Sequence, residues 1–92
     1  MQQYILVTGG TKGIGRAVIE QFAKHGFHII TCSRNEEELQ KLKVEIEQRY
    51  TFSKVFYKEA DLSKRESLEE FVKYVKGLKV KIDVLVNNSG LF

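Results

Sequence analysis

Proline and tryptophan are absent from this 92-residue chain, and cysteine and methionine occur once each. Without proline, nothing forces a helix to kink or removes a donor from a strand, so long uninterrupted elements are open to it. The lone Cys32 cannot close an internal disulfide, which excludes a disulfide-stapled secreted scaffold and fits a reducing cytosol. No apolar run approaches the roughly 20 residues that a membrane-spanning helix needs. The start, Met1-Gln2-Gln3-Tyr4, has neither a basic stretch nor a small-residue cleavage site, so no secretory leader is expected and the chain reads as cytoplasmic. What is present is an ordinary globular mixture, 42% apolar and 29% charged, which excludes disorder and low complexity. One domain is expected, without linker or repeat.

The net charge of +3 is small, and the cations are dispersed. Lys41 and Lys43 stand among Glu36, Glu37, Glu38, Glu45 and Glu47; Lys64, Lys73 and Lys76 stand among Glu66, Glu69 and Glu70. Mixed signs at helical spacing describe solvated helix faces, and no aromatic–basic interleaving of the nucleic-acid-binding kind occurs. A nucleic-acid partner is not expected, and neither is a membrane.

Hydrophobic periodicity divides the chain into alternating elements. Tyr4-Ile5-Leu6-Val7 is a short β-rich run that ends in Thr8-Gly9-Gly10 and predicts a buried strand. Ile14, Ala17, Val18 and Phe22 then recur at helical spacing, with Gly26 placed to stop the helix. A second strand is expected at residues 28–32. Asn35 with Glu38 three positions on predicts a capped helix with Leu39, Leu42 and Ile46 as its buried stripe. A third strand is expected at residues 54–58. Ser63-Lys64-Arg65-Glu66 has the form of a capping box opening a third helix, whose stripe is Leu68, Phe71, Val72 and Val75. Residues 81–86 complete the pattern as a fourth strand, closing on Asn87-Asn88-Ser89-Gly90.

The order β-α-β-α-β-α-β implies an α/β fold of the doubly wound, Rossmann type, with a parallel sheet in strand order 3-2-1-4. The reversal of winding direction between strands 1 and 4 opens a crevice at the carboxyl ends of the strands, where such folds bind ligands. Both glycine-bearing turns, Thr8–Gly15 and Asn87–Gly90, end there. The first turn fails as a Walker A loop, because Gly15 is followed by Arg16-Ala17 rather than by lysine and a hydroxyl residue. It also fails as G-x-G-x-x-G. What remains is T-G-x-x-x-G-x-G between a strand and a helix, a turn that lets backbone approach a phosphate.

Taken together, Thr8-Gly9-Gly10-Thr11-Lys12-Gly13-Ile14-Gly15, Asp61-Leu62 and Asn87-Asn88-Ser89-Gly90 resemble the short-chain dehydrogenase/reductase family, in the family's order and over the whole chain. Ser89 stands where the family usually has alanine. The resemblance implies that Gly9, Gly10, Thr11, Lys12, Gly13, Ile14 and Gly15 wrap a cofactor pyrophosphate. It implies that Asp61 and Leu62 contact adenine, and that Asn88, Ser89 and Gly90 line the adenosine ribose side. NAD-binding members end strand 2 with an acidic residue that bonds the ribose 2′-hydroxyl. Here the corresponding stretch is Cys32-Ser33-Arg34-Asn35. Arg34 and Ser33, with Lys12 from the facing turn, offer two cations and a hydroxyl and no anion, so NADP(H) is expected in preference to NAD(H).

By the same resemblance the activity is transfer of the pro-S hydride between the nicotinamide and a carbonyl or alcohol carbon of a small-molecule substrate, in a homo-oligomer. Family members are usually more than twice this long, and their catalytic serine, tyrosine and lysine lie beyond the fourth strand. Residues 1–92 are therefore expected to be the N-terminal, NADP-binding portion of a longer domain, with no catalytic residue of its own and no turnover alone. The continuous apolar run of strand 4, which three helices cannot cover on both faces, leads to the same expectation and to association through that strand. Tyr50 and Lys54 match Y-x-x-x-K by spacing, but they fall in the connection before strand 3, at the wrong end of the sheet, and are set aside. A non-catalytic nucleotide-binding module is the competing class. His25 and His28 lack companions at metal spacing, so no metal is expected.

Overall fold

In the computed structural model, which describes residues 2–88, the elements alternate in the expected order: β1 Tyr4–Thr8, α1 Gly13–Lys24, β2 His28–Ser33, α2 Glu36–Arg49, β3 Val55–Glu59, α3 Arg65–Leu78 and β4 Val84–Asn87. All pairings are parallel and the sheet order is β3-β2-β1-β4. Apolar residues that read as continuous runs separate onto two faces by the period-2 alternation of a strand. Ile5, Val7, Ile29 and Val55 face α1 and α2, where they pack with Ile19, Ala23, Leu42 and Ile46. Leu6, Ile30 and Cys32 face the other way and meet Phe71 of α3 together with Ala60 and Leu62. The third crossover thus lies on the opposite face from the first two, as the strand order requires.

Polar groups fix the ladder at its ends. The Tyr4 N–H donates to Asp83 Oδ2 at 2.9 Å and the Asp83 N–H donates to Tyr4 O at 2.9 Å, seating β4 beside the start of β1. The β1–β4 register starts with Ile5 opposite Val84, so β4 begins there rather than at Lys81; opposite Asp83 the Tyr4 N–H is taken by a side chain instead of a strand carbonyl. At the β3 edge, Val55 turns its N–H and C=O away from β2. The N–H donates to Glu47 Oε2 at 2.8 Å, and Lys43 Nζ donates to the carbonyl at 2.9 Å. Lys43 and Glu47, one helical turn apart on α2, are themselves paired at 2.7 Å. Burial pushes the Glu47 carboxyl up, but the hydrogen bonds from Lys43 and Val55 and the charges of Lys43 and Lys54 outweigh it and hold it below its ordinary value.

Three local expectations are corrected. In α1 the buried line is Gly15, Ile19 and Ala23, while Ile14 is 74% exposed and Ala17 is exposed; Val18 and Phe22 only flank the core. Small residues at 15 and 23 let the helix ride close to the sheet, and size-based patterning passes over them. At α3 no capping box forms: Lys64 is the N-cap without a side-chain bond, because Ser63 is drawn to Asp61, whose Oδ1 accepts its hydroxyl at 2.6 Å and its N–H at 3.0 Å. Within α3, Phe71 is buried but Val72 is 42% exposed. Asn35, by contrast, caps α2 as expected, its Oδ1 accepting the Glu38 N–H at 3.1 Å. Among the described residues no helix is long and apolar enough to cross a membrane.

Candidate functional site

The carboxyl ends of the strands open into a cleft of about 780 Å³. Gly9, Thr11 and Lys12 come to it from the β1–α1 turn, Cys32, Ser33 and Arg34 from the end of β2, and Asn35 and Glu38 from the start of α2. Ala60, Asp61, Leu62 and Ser63 follow β3, and Asn88 follows β4. Of the residues expected at a ligand site, Gly9, Thr11, Lys12, Ser33, Arg34, Asp61, Leu62 and Asn88 are thus brought together. Gly10 is buried within the turn, and Gly13, Ile14 and Gly15 form the first residues of α1. Ser89 and Gly90 lie outside the described residues.

The turn is shaped to present backbone. The Gly9 N–H donates to Cys32 O at 3.0 Å, tying the turn to β2. Gly13 opens the helix at φ +58°, a left-handed conformation that side-chain-bearing residues disfavour. Gly15 is closely enclosed: a Cβ there would stand 2.5 Å from Gly9 O and 2.7 Å from Asn88 Nδ2. That same Asn88 amide donates to Gly9 O at 3.1 Å, while the Asn88 N–H donates to Thr8 Oγ1 at 3.0 Å. The two glycine-bearing turns are therefore one hydrogen-bonded unit.

Two helices start at this cleft, and their N-termini differ in what they can take. Asn35 Oδ1 takes the Glu38 N–H of α2, and the opening turn of that helix carries Glu36, Glu37 and Glu38. The N-cap of α1 is Lys12, whose side chain makes no capping bond, and its first turn holds no acid. Free N–H groups and a positive dipole end at an acid-free terminus fit an anion.

At the end of β2 the arrangement departs from expectation in one respect. Glu38 places an anion in the region read as having none. In a reciprocal capping box its carboxylate would return to the Asn35 N–H. Here that N–H donates to Ser33 Oγ at 3.3 Å, and the carboxylate reaches across to the first turn instead. Its Oε1 accepts from Thr11 Oγ1 at 3.2 Å and its Oε2 pairs with Lys12 Nζ at 3.2 Å. Thr11 Oγ1 also lies 3.5 Å from Ser33 Oγ. Arg34 is exposed and makes no ion pair within 4.0 Å among the described residues. Glu38 was read as a helix-start residue; the nearby Ser33, able to take the Asn35 donor, was the clue to its other role.

Opposite these, the two Ser63 hydrogen bonds, with the charges of Arg34 and Lys64, hold the Asp61 carboxyl below its usual range against a small opposing effect of burial. The Asp61 N–H is taken by Ser67 Oγ at 2.7 Å, which fixes the backbone after β3. Leu62 is buried against the α3 face and contributes an apolar wall. Cys32 is 2% exposed, and burial raises its thiol despite the Gly9 N–H, so it is a packed residue rather than a nucleophile. Tyr50 is the C-cap of α2, and the Lys54 N–H donates to His28 Nδ1 at 3.0 Å at the amino end of the sheet, far from the cleft.

The short chain dehydrogenase family model matches residues 3–92, and the chain belongs to that family. It is 38% identical over 91 residues to 17-beta-hydroxysteroid dehydrogenase type 3 of Rattus norvegicus, which covers 99% of this chain and 29% of the rat protein. It is 42% identical over 87 residues to a tropinone reductase homolog of Arabidopsis thaliana, covering 94% of this chain and 32% of that protein. Among solved structures, L-sorbose reductase from Gluconobacter frateurii, complexed with NADPH and L-sorbose, superposes with a TM-score of 0.88 at 29% identity, over 97% of this chain and 34% of that one. The chain thus spans less than a third of the length of these two curated relatives.

Proposed function

We propose that residues 1–92 are the N-terminal, NADP(H)-binding portion of a longer short-chain oxidoreductase. Its reaction is hydride transfer between the nicotinamide and a carbonyl or alcohol carbon of a small molecule. The observation that carries the reading is the uncapped, acid-free N-terminus of α1 opening onto the same cleft as the unpaired Arg34. The first suits a pyrophosphate and the second a 2′-phosphate. The absence of a side chain at Gly15 lets the β1–α1 turn close against Asn88, since a Cβ there would meet Gly9 O and Asn88 Nδ2, and so keeps the backbone of the turn at the cleft. The L-sorbose reductase structure, solved with NADPH, adds support.

In this reading the backbone N–H groups of residues 13–15 bind the pyrophosphate, with Gly9, Gly10, Thr11, Lys12 and Ile14 shaping the turn around it. Ser33 and Arg34 bind the 2′-phosphate, Asp61 and Leu62 border the adenine, and Asn88, with Ser89 and Gly90, borders the ribose. The cofactor, when bound, supplies the hydride. These residues orient and discriminate; proton transfer belongs to residues after Phe92. A cytoplasmic location belongs to the same reading, supported by a single cysteine that can close no internal disulfide, as does a homo-oligomeric state by family likeness.

The test is calorimetric titration of the protein at its native length with NADPH and NADH. Arg34→Ala should weaken NADPH by about 10- to 100-fold, the value of hydrogen bonds to a charged group, and leave NADH unchanged. Equal weakening of both nucleotides, or of neither, overturns the assignment.

A further inference from the structure

We infer that Glu38 is a specificity-determining residue that competes with the cofactor's 2′-phosphate for Lys12 and so sets how strongly the cleft prefers NADPH to NADH. The inference rests on reading the cleft as an NADP(H) site. Glu38 sits at a helix start, where a glutamate ordinarily serves its own backbone, but Ser33 Oγ has taken the Asn35 N–H and left the carboxylate to the cleft. Each of its oxygens is then engaged by a different residue of the facing turn, Oε1 by Thr11 at 3.2 Å and Oε2 by Lys12 at 3.2 Å. The ammonium of Lys12 is mostly exposed and the carboxylate about two-thirds covered, so the lysine is the mobile member of the pair.

A dianion entering beside Ser33 and Arg34 meets two opposed influences. Arg34 attracts it unopposed by any close ion pair. Lys12 is available only if it leaves Glu38, and Glu38 then stands in the same cleft as an uncompensated like charge. NADH carries a neutral 2′-hydroxyl at that place, so removing the Glu38 charge relieves no repulsion for it. Thr11 is held by either a carboxylate or an amide oxygen, so Glu38→Gln removes the charge while preserving the hydrogen bond.

The experiment is direct binding, by calorimetry, of NADPH and NADH to the native-length protein, its Glu38→Gln and Lys12→Met variants, and the double variant. Glu38→Gln is expected to bind NADPH about two- to fivefold tighter, the scale of an exposed ion pair, with no such gain for NADH and with the NADPH gain reduced in the Lys12→Met background. Unchanged or weaker NADPH binding by Glu38→Gln, while Arg34→Ala still costs NADPH alone, overturns this inference and leaves the cofactor reading standing. A gain undiminished without Lys12 overturns the competition. If neither nucleotide binds, or Arg34→Ala costs both equally, the cofactor reading fails and this inference falls with it.

Discussion

On one face of the sheet α1 and α2 together bury Ile5, Val7, Ile29 and Val55 almost completely; on the other, α3 alone shelters Leu6, Ile30 and Cys32 and leaves Leu85 of β4 66% exposed. An apolar groove runs between α3 and β4 on that second face, lined by Leu6, Leu68, Phe71, Val72, Val75 and Leu85. The two edges of the sheet differ in the same sense. Glu47 and Lys43 engage the outward N–H and C=O of Val55 on β3, whereas among the described residues no other strand pairs with β4 beyond β1. The helices follow suit: α2 starts on a side-chain cap, while α3 starts on Lys64 without one and ends at Lys79 with φ +55°. Stability is therefore concentrated on the α1–α2 face and the β3 edge, and the α3 face with β4 is the softer region.

The largest expected effect breaks the firm face. Ile46→Ala, at 1% exposure, is predicted to cost about 2–5 kcal/mol in denaturant unfolding. Phe71→Ala, whose surroundings are partly open and free to relax, is predicted to cost about 3 kcal/mol, the low end for a phenylalanine. A greater loss at Phe71 than at Ile46 would invert the comparison.

Acid should act next, and through the clamped edge. Glu47 titrates below its ordinary value in the folded protein, so its contribution is present above the unfolded value near 4.5 and is lost as pH falls through the lower folded one. His28 is held down by burial and by the charge of Lys54. The unfolded chain therefore takes up a proton below about 6.5 that the folded one resists, and stability declines over that range as well. Unfolding free energy measured from pH 7 down to about pH 3 should fall, with a flatter limb below about 4.5 in Glu47→Gln. An unchanged limb in that variant would remove the clamp from the account.

The smallest effects belong to the softer region. Leu85→Lys should alter stability by no more than about 0.5 kcal/mol while reducing both dye binding to exposed apolar surface and self-association in sedimentation. Lys79→Gly should stabilise by about 0.5 kcal/mol by relieving the left-handed lysine, read from the thermal midpoint. A loss above about 1 kcal/mol at Leu85 would mean that β4 is as firmly packed as β2.

Most of the architecture was legible because alternation and helical period are direct consequences of which face meets the core. Strand order followed from crossover handedness, and the shared destination of the two glycine-bearing turns followed from strand order. What escaped was decided by competition between neighbours or by residues too small to show in a pattern. Ser63 bonds Asp61 instead of capping α3; Gly15 and Ala23, too small to register as apolar pattern, form the inner line of α1; and Glu38, correctly placed at a helix start, turns its carboxylate toward Lys12 because Ser33 has already served Asn35. The Ser63 and Glu38 outcomes depend on a donor or acceptor two to five positions away in sequence or across a turn, and the Gly15–Ala23 line on size alone, neither of which periodicity weighs.

The bond from Asn88 to Gly9 joins positions 79 apart in sequence, and so does the Thr8–Asn87 contact beside it. Contacts that close nearly the whole chain form late, because the entropy of closing the loop must be met before they repay it. The glycine-bearing β1–α1 turn follows the first strand in the sequence, yet its shape is completed by the last. During synthesis it stays unfinished until β4 has left the ribosome.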